Sequence, residues 1–296
     1  MEYWIWLSRI EGLGPIKIKE LLKQYKTPEN IWELDKKKLM QTKGIGENIA
    51  NSILKKEYRE NLEQYVKYMK KYNIGIITIE DKDYPKKLLH IYDAPAILYY
   101  KGDKKLLHTD IIAMIGCREC SNYGKEVSIK FSYELAKKGI TIISGMAKGI
   151  DSYSHIGCIK AGGKTIAVLG SGLDIIYPKE NCLLYDEILS AKGLILSEYV
   201  IGTKPSKLNF PARNRIISGL SNGVIVVEAK GKSGTLNTVD FALEQGKDIF
   251  VVPGNITSTN STGTNELIKQ GASCVTGVED ILKWIIKILL KLFIFF

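Results

Sequence analysis

Ile111-Ile112-Ala113-Met114-Ile115 runs into Gly116-Cys117-Arg118, Ile140–Ile143 into Ser144-Gly145-Met146-Ala147-Lys148-Gly149, and Thr165–Leu169 into Gly170-Ser171-Gly172. Each is a short apolar run that ends in a glycine-bearing turn and gives way to a stretch with helical apolar spacing. Leu194–Leu196, Val224–Val227 and Ile249–Val252 repeat the pattern downstream. Alternation of this kind predicts βαβ units, hence an extended Rossmann-like α/β fold: a parallel sheet with helices on both faces.

Upstream the pattern changes. Gly12-Leu13-Gly14 followed by Ile16, Ile18, Leu21 and Leu22 is echoed 32 positions later by Gly44-Ile45-Gly46 followed by Ile49 and Ile53. Each copy is a tight turn opening a helix-period stretch, which predicts a small all-α domain of helix–hairpin–helix (SAM-like) type. Two roles fit it: loop amides that meet DNA phosphates, or a packing domain whose glycines merely permit the turns. A Lys-rich helix, Asn61–Lys71, leads into strand-like runs Ile74–Ile79 and Ala96–Tyr100, separated by Tyr84-Pro85 and Ala94-Pro95. The expected division is a helical domain over 1–64, a Rossmann-like domain over 65–280 and a tail over 281–296.

Composition narrows the function class. The 296 residues suggest about two domains, and 45% hydrophobic with 25% charged residues exclude a wholly disordered or multi-span membrane chain. Lys and Arg total 42 against 32 Asp and Glu, a net charge of +10 that favours a polyanionic partner. Only five of the cations are Arg (Arg9, Arg59, Arg118, Arg213, Arg215), so the positions that keep a guanidinium merit inspection. An odd five cysteines, with no positive-then-apolar leader, point to reduced thiols and a cytoplasmic location.

In a parallel α/β sheet, ligands bind beyond the carboxyl ends of the strands. The loops there are Gly116–Arg118, Ser144–Gly149, Gly170–Gly172, Ser197-Glu198 and Gly231–Thr235, with small residues, exposed amides and cations suited to phosphate. Nucleotide motifs fail in detail. Five residues separate Gly157 from Gly163-Lys164-Thr165 where a P-loop needs four, and Ile175 stands where a dinucleotide fingerprint wants its third glycine. Asp151 and His155 could share a helix face with Ser152 and Ser154 nearby, as a nucleophilic constellation or as ordinary packed residues. Cys117 and Cys120 lack a second pair at metal-site spacing, so neither metal nor cofactor is expected. The densest feature is Phe210-Pro211-Ala212-Arg213-Asn214-Arg215-Ile216-Ile217-Ser218-Gly219-Leu220-Ser221, where two guanidiniums fall within three residues. They suit phosphate, or internal ion pairs to carboxylates such as Glu198 or Glu228.

Taken in order, Gly116-Cys117-Arg118, Tyr123-Gly124, Ser144–Asp151 with His155, Ala167–Gly170 with Tyr177-Pro178, Ser197-Glu198, Phe210–Ser221, Val227-Glu228-Ala229 with Ser233-Gly234-Thr235, and Val252-Pro253-Gly254 resemble the successive signatures of the DprA/Smf family over residues 111 to about 275. The resemblance implies an extended Rossmann-like fold, single-stranded DNA binding, a homodimer, protection of incoming DNA and loading of the RecA recombinase during natural transformation. It implies DNA-binding roles for Arg118, Lys179, Arg213 and Arg215; Ser144, Gly145, Lys148, Gly170, Gly172, Asn214, Ser233, Gly234 and Thr235 complete the candidate site. Lys148 stands where many relatives carry Arg, and Cys117 where Ser or Thr is usual. Tyr123, Tyr153 and Phe210 are candidate stacking platforms. The tail, apolar except for Lys283, Lys287 and Lys291, leaves no room for the winged-helix module frequent in the family and is too short and charged to read as a membrane span. The expected protein is no enzyme. The alternative is a nucleotide-binding or N-glycosidic nucleotide-hydrolysing enzyme on a related fold, because Gly231–Thr238 resembles the loop of phosphoribohydrolases. Asn237 stands where their catalytic Glu belongs, and an amide is no general base.

Overall fold

The computed structural model describes residues 1–285; the remainder of the tail lies outside the described residues. Seven helices open the chain: α1 Glu2–Arg9, α2 Pro15–Tyr25, α3 Pro28–Trp32, α4 Lys36–Leu39, α5 Glu47–Leu54, α6 Lys56–Arg59 and α7 Leu62–Lys71. The near-repeat is realised bond for bond. Gly12 and Gly44 take φ of +80° and +82°, a region an L side chain rarely adopts. Leu13 N donates to Ile10 O and, 32 positions on, Ile45 N to Thr42 O; Gly14 and Gly46 then cap α2 and α5. Helix α7 crosses residue 64, so the helical segment runs to Lys71.

The remaining elements are β1 Gly75–Thr78, α8 Lys86–Leu89, β2 Ile97–Gly102, β3 Ile111–Ile115, α9 Asn122–Lys137, β4 Thr141–Ser144, α10 Ile150–Lys160, β5 Thr165–Leu169, α11 Cys182–Ser190, β6 Leu194–Ser197, α12 Asn209–Leu220, β7 Gly223–Val226, α13 Gly234–Glu244, β8 Asp248–Val251, α14 Thr262–Lys269 and β9 Ser273–Cys274, then helical residues 278–285. They form one sheet of order β1-β2-β6-β5-β4-β3-β7-β8-β9. From β6 to β9 every pairing is parallel. The mixed α/β class with helices on both faces stands, with one refinement. β2 pairs antiparallel with β1 and with β6, an edge hairpin on an otherwise parallel sheet.

Alternation along the strands sorts the core. Ile111, Ala113 and Ile115 face Ile216, Ile217 and Leu220 of α12 and Val239 of α13. Ile112 and Met114 face the opposite side, with Phe131 and Leu135 of α9 and Ile150 and Cys158 of α10. Ala167, Leu169 and Ile195 continue into a third cluster with Tyr99, α11 and the N-terminal helices. Fully buried Trp6, Leu21 and Ile53 belong to it, and Ser8 Oγ lies 2.6 Å from the Tyr99 hydroxyl. The helical domain is therefore packed onto one face of the sheet, over β2, β6 and β5, rather than tethered beside it. Among the described residues, no helix is long and apolar enough to cross a membrane.

Candidate nucleic-acid interface

The chain leaves β3 for one face of the sheet, builds β4, β5 and β6 on one side, and then crosses back through α12 to lay β7 on the other side of β3. This crossover brings the N-terminal end of α12 against the carboxyl end of β5. A methyl at Gly170 would stand 2.8 Å from the Phe210 ring, so only glycine lets the ring approach this closely. Asn209 Nδ2 donates to Gly170 O (3.2 Å) and fixes the junction.

Phe210 is the centre of a surface row. Its ring centroid lies 5.3 Å from that of Tyr177, the rings inclined at 32°. The Arg118 guanidinium lies 5.5 Å from the Phe210 centroid. Arg118 and Lys179 are exposed, with no carboxylate in ion-pair reach among the described residues. Lys148 joins the same rim, 2.5 Å from Glu180. Both partners are solvent-exposed, so the pair is weak and exchangeable.

Behind the row, two loops are tied together. Asn181 donates to Met146 O (2.8 Å) and to Ser152 Oγ (2.9 Å), linking the segment after β5 to the turn after β4. The other end of that turn packs on the Arg118 loop, because Ile150 N donates to Cys117 O (3.2 Å). The three cations thus stand on loops that brace one another, which preorganises their spacing.

The candidate residues divide into two sets. Arg118, Lys148 and Lys179 are exposed, and Asn214 is half-buried, accepting from Arg213 Nε (3.2 Å). Ser144 is buried and donates to Met114 O (2.7 Å). Gly145 accepts through its carbonyl from Arg213 Nη1 (2.8 Å), and Gly172 N donates to Thr203 O (2.9 Å). With Gly170, these are internal joints beneath the row.

Arg213 and Arg215, expected among the phosphate ligands, are both buried, at 4% and 3% exposure. Arg213 donates to the carbonyls of Gly145 and Val168, so it staples the ends of β4 and β5. Burial lowers its pKa to about 10, against the opposing pull of Asp151. Arg215 makes the internal ion pairs: Nε lies 2.8 Å from Asp93 Oδ2 and Nη2 lies 2.8 Å from Glu198 Oε1. Burial opposes its charge, but Glu198 and Asp93 outweigh that and hold the guanidinium above its ordinary range. In this conformation neither side chain reaches solvent. The physical reason is that α12 crosses the sheet with this face inward, and interior carbonyls and carboxylates consume the forks.

Asp151 accepts from Gly145 N (3.1 Å) and Ala147 N (3.3 Å), and burial pushes its carboxyl up. His155 is fully buried, its Nδ1 2.6 Å from Thr165 Oγ1. They are packed, hydrogen-bonded residues. Ser233, Gly234 and Thr235 open α13 on the far side of β3 from Phe210, with Ser233 Oγ buried and without a hydrogen-bond partner among the described residues. Of the stacking candidates, Phe210 joins the row, Tyr153 lies under Lys125 (5.2 Å) and Tyr123 faces a separate cavity. Sequence reasoning missed Tyr177 as a ring partner and Asn181 as a brace. The Tyr177-Pro178-Lys179-Glu180-Asn181 run was the signal that could have found both.

A family model described as DNA recombination-mediator protein A matches residues 75–285, and one for a SAM-like helix-hairpin-helix tandem matches residues 7–56. The Smf protein of Synechocystis is 38% identical over 286 residues, covering 95% of this chain and 71% of its own length. Among solved structures, DNA processing protein A of Streptococcus pneumoniae has a TM-score of 0.79 at 38% identity, over 96% of this chain and 97% of that one. DNA processing protein A of Helicobacter pylori, whose structure concerns its single-stranded DNA binding mode, has a TM-score of 0.64 at 35% identity, over 72% of this chain and 96% of that one.

Proposed function

The chain belongs to the DNA recombination-mediator protein A (DprA/Smf) family, and from that premise we propose that it binds single-stranded DNA along the carboxyl ends of β3, β4 and β5, protects an incoming strand and loads RecA onto it. In this reading it is a cytoplasmic homodimer that performs no covalent chemistry.

The observation that carries the reading is the Arg118–Phe210–Tyr177 row with Lys148 and Lys179 at its rim. A guanidinium beside an aromatic face offers a phosphate partner and a stacking platform at roughly nucleotide spacing. Because every base has a π-face and the cations address the backbone, such a groove is tolerant of sequence and sensitive to salt. Arg213, Arg215, Ser144, Gly145, Gly170 and Gly172 act in this account as the frame that sets the row, not as ligands.

The test is fluorescence anisotropy of labelled oligo-dT at several salt concentrations, for the full chain beside Arg118→Ala and Lys179→Ala. Tight binding is expected, falling steeply with salt, with the logarithmic salt slope reduced by about 0.7 for each phosphate contact removed. Binding indifferent to both substitutions would overturn the groove. RecA loading is tested by whether the wild-type chain, and not Arg118→Ala, speeds RecA filament growth on strands coated with a single-strand-binding protein. Equal rates with and without the wild-type chain would remove the loading role.

A further inference from the structure

Helix α9 leaves β3 toward one face of the sheet, whereas α13 leaves β7, the neighbour of β3, toward the other. The gap between those two strand ends is the topological switch point, where open α/β sheets bind small ligands. A cavity of about 420 Å³ lies there, on the opposite side of β3 from the Phe210 row, and takes in the loop after β8.

The floor of this cavity is Glu228, 2% exposed. Its carboxylate accepts from Ser121 N (2.9 Å), Ser121 Oγ (2.5 Å) and, at the limit, Asn260 Nδ2 (3.4 Å), with no Lys or Arg in ion-pair reach among the described residues. An ionised carboxylate has about four acceptor positions, and a buried one without a countercharge is costly unless they are filled. The wall is the Tyr123 ring, held by its hydroxyl, which donates to Pro253 O (2.9 Å). Asn255 and Ser258 bring further polar groups to the rim, and Ser261 lines the cavity from a buried position.

A fixed aromatic wall over a carboxylate that lacks a countercharge and keeps about one acceptor position open selects a flat ligand that donates a hydrogen bond, and the carboxylate repels a phosphate from the bottom. We infer that the Glu228 cavity binds a nucleobase bearing an amino group, entering base-first with any phosphate outside. Guanine fits best, since its N1–H and 2-amino donors lie side by side and either can fill the position left open on Oε1. Thymine fits worst, because its one N–H is flanked by two carbonyls that the carboxylate repels. The base comes from a free nucleotide or from a strand lying across the molecule; the chemistry at Glu228 is the same.

The experiment is calorimetric titration of the full chain with dGMP, dAMP, dCMP and dTMP, repeated in Glu228→Gln, Ser258→Trp and Phe210→Ala. Ser258→Trp fills the cavity from its rim and leaves the Glu228–Ser121 bonds in place, so it keeps the test open if Glu228→Gln fails to fold. Expected are dGMP binding at least about tenfold tighter than dTMP, a loss of about 10- to 100-fold in Glu228→Gln from one charge-assisted hydrogen bond, loss in Ser258→Trp, and no change in Phe210→Ala. Four equal affinities, or dGMP binding that survives Ser258→Trp, would overturn the inference. Dependence on Phe210 would do the same, by moving the ligand to the groove. A second arm compares oligo-dT with the same strand carrying one internal dG. A gain in affinity abolished by Ser258→Trp assigns the base to a strand, and dGMP binding without that gain assigns it to a free nucleotide. The Phe210→Ala control makes failure of this site distinguishable from failure of the groove.

Discussion

Arg213 and Arg215 on α12 and Arg118 with Lys179 on the strand-end loops are cations of one neighbourhood with opposite fates. The first two are buried and consumed by Gly145, Val168, Asp93 and Glu198; the other two stand exposed beside an aromatic pair. The difference teaches that a guanidinium fork has two uses in such a fold. Where main-chain, amide or carboxylate oxygens converge inside, it is a clamp between elements distant in sequence. Where it meets none, it is free for phosphate. Residue type alone does not separate these uses.

The largest expected effect falls on the interior pair. Arg215→Ala leaves Glu198 and Asp93 without their partner, at a cost of about 3–5 kcal/mol in unfolding free energy, to be read by urea denaturation. A change under about 0.5 kcal/mol would erase the distinction between the two sets. Next is a pH effect from the same interior, at His155. Burial, helped by that guanidinium, lowers the pKa of His155 to about 3. The unfolded chain has the ordinary value near 6.5, so the stabilisation from keeping His155 neutral is complete above about pH 6.5 and lost as pH falls toward 3. Its slope is about 1.4 kcal/mol per pH unit. His155→Gln should flatten the urea midpoint between pH 6 and 4, and an unchanged slope would show that the ring is not the source.

On the exposed side, Phe210→Ala removes a stacking platform worth about 1–3 kcal/mol per base, a loss of at least about fivefold in oligo-dT affinity. Retained affinity would shift the platform to Tyr177 alone. The smallest effect sharpens the contrast most. Arg118→Ala should change unfolding free energy by no more than about 0.5 kcal/mol while weakening strand binding. Loss of stability comparable to Arg215→Ala would place Arg118 in the frame.

Much of this was legible in the chain. Thr165–Leu169 is a strand with the bounds its apolar run predicts, and the Gly12 and Gly44 turns each make the same local hydrogen bond, 32 positions apart, because each repeat closes on itself. The antiparallel edge was less legible, since a strand's direction depends on which neighbour it finds, and β2 finds β6 almost a hundred residues on. At the site, Arg118 could be named from its position at a strand end, whereas Lys179 was named only through the family resemblance. The row they frame could not, since Tyr177 and Phe210 meet only through the α12 crossover.

What the sequence by itself determined is local: apolar periodicity, turn glycines and the scarcity of arginine, all set by interactions within a few residues. Only the tertiary structure decided which guanidiniums are spent inside. Asp93 lies 122 positions before Arg215 and Val168 45 before Arg213. Whether an arginine is clamp or ligand is set by the oxygens that the fold carries to it across those distances.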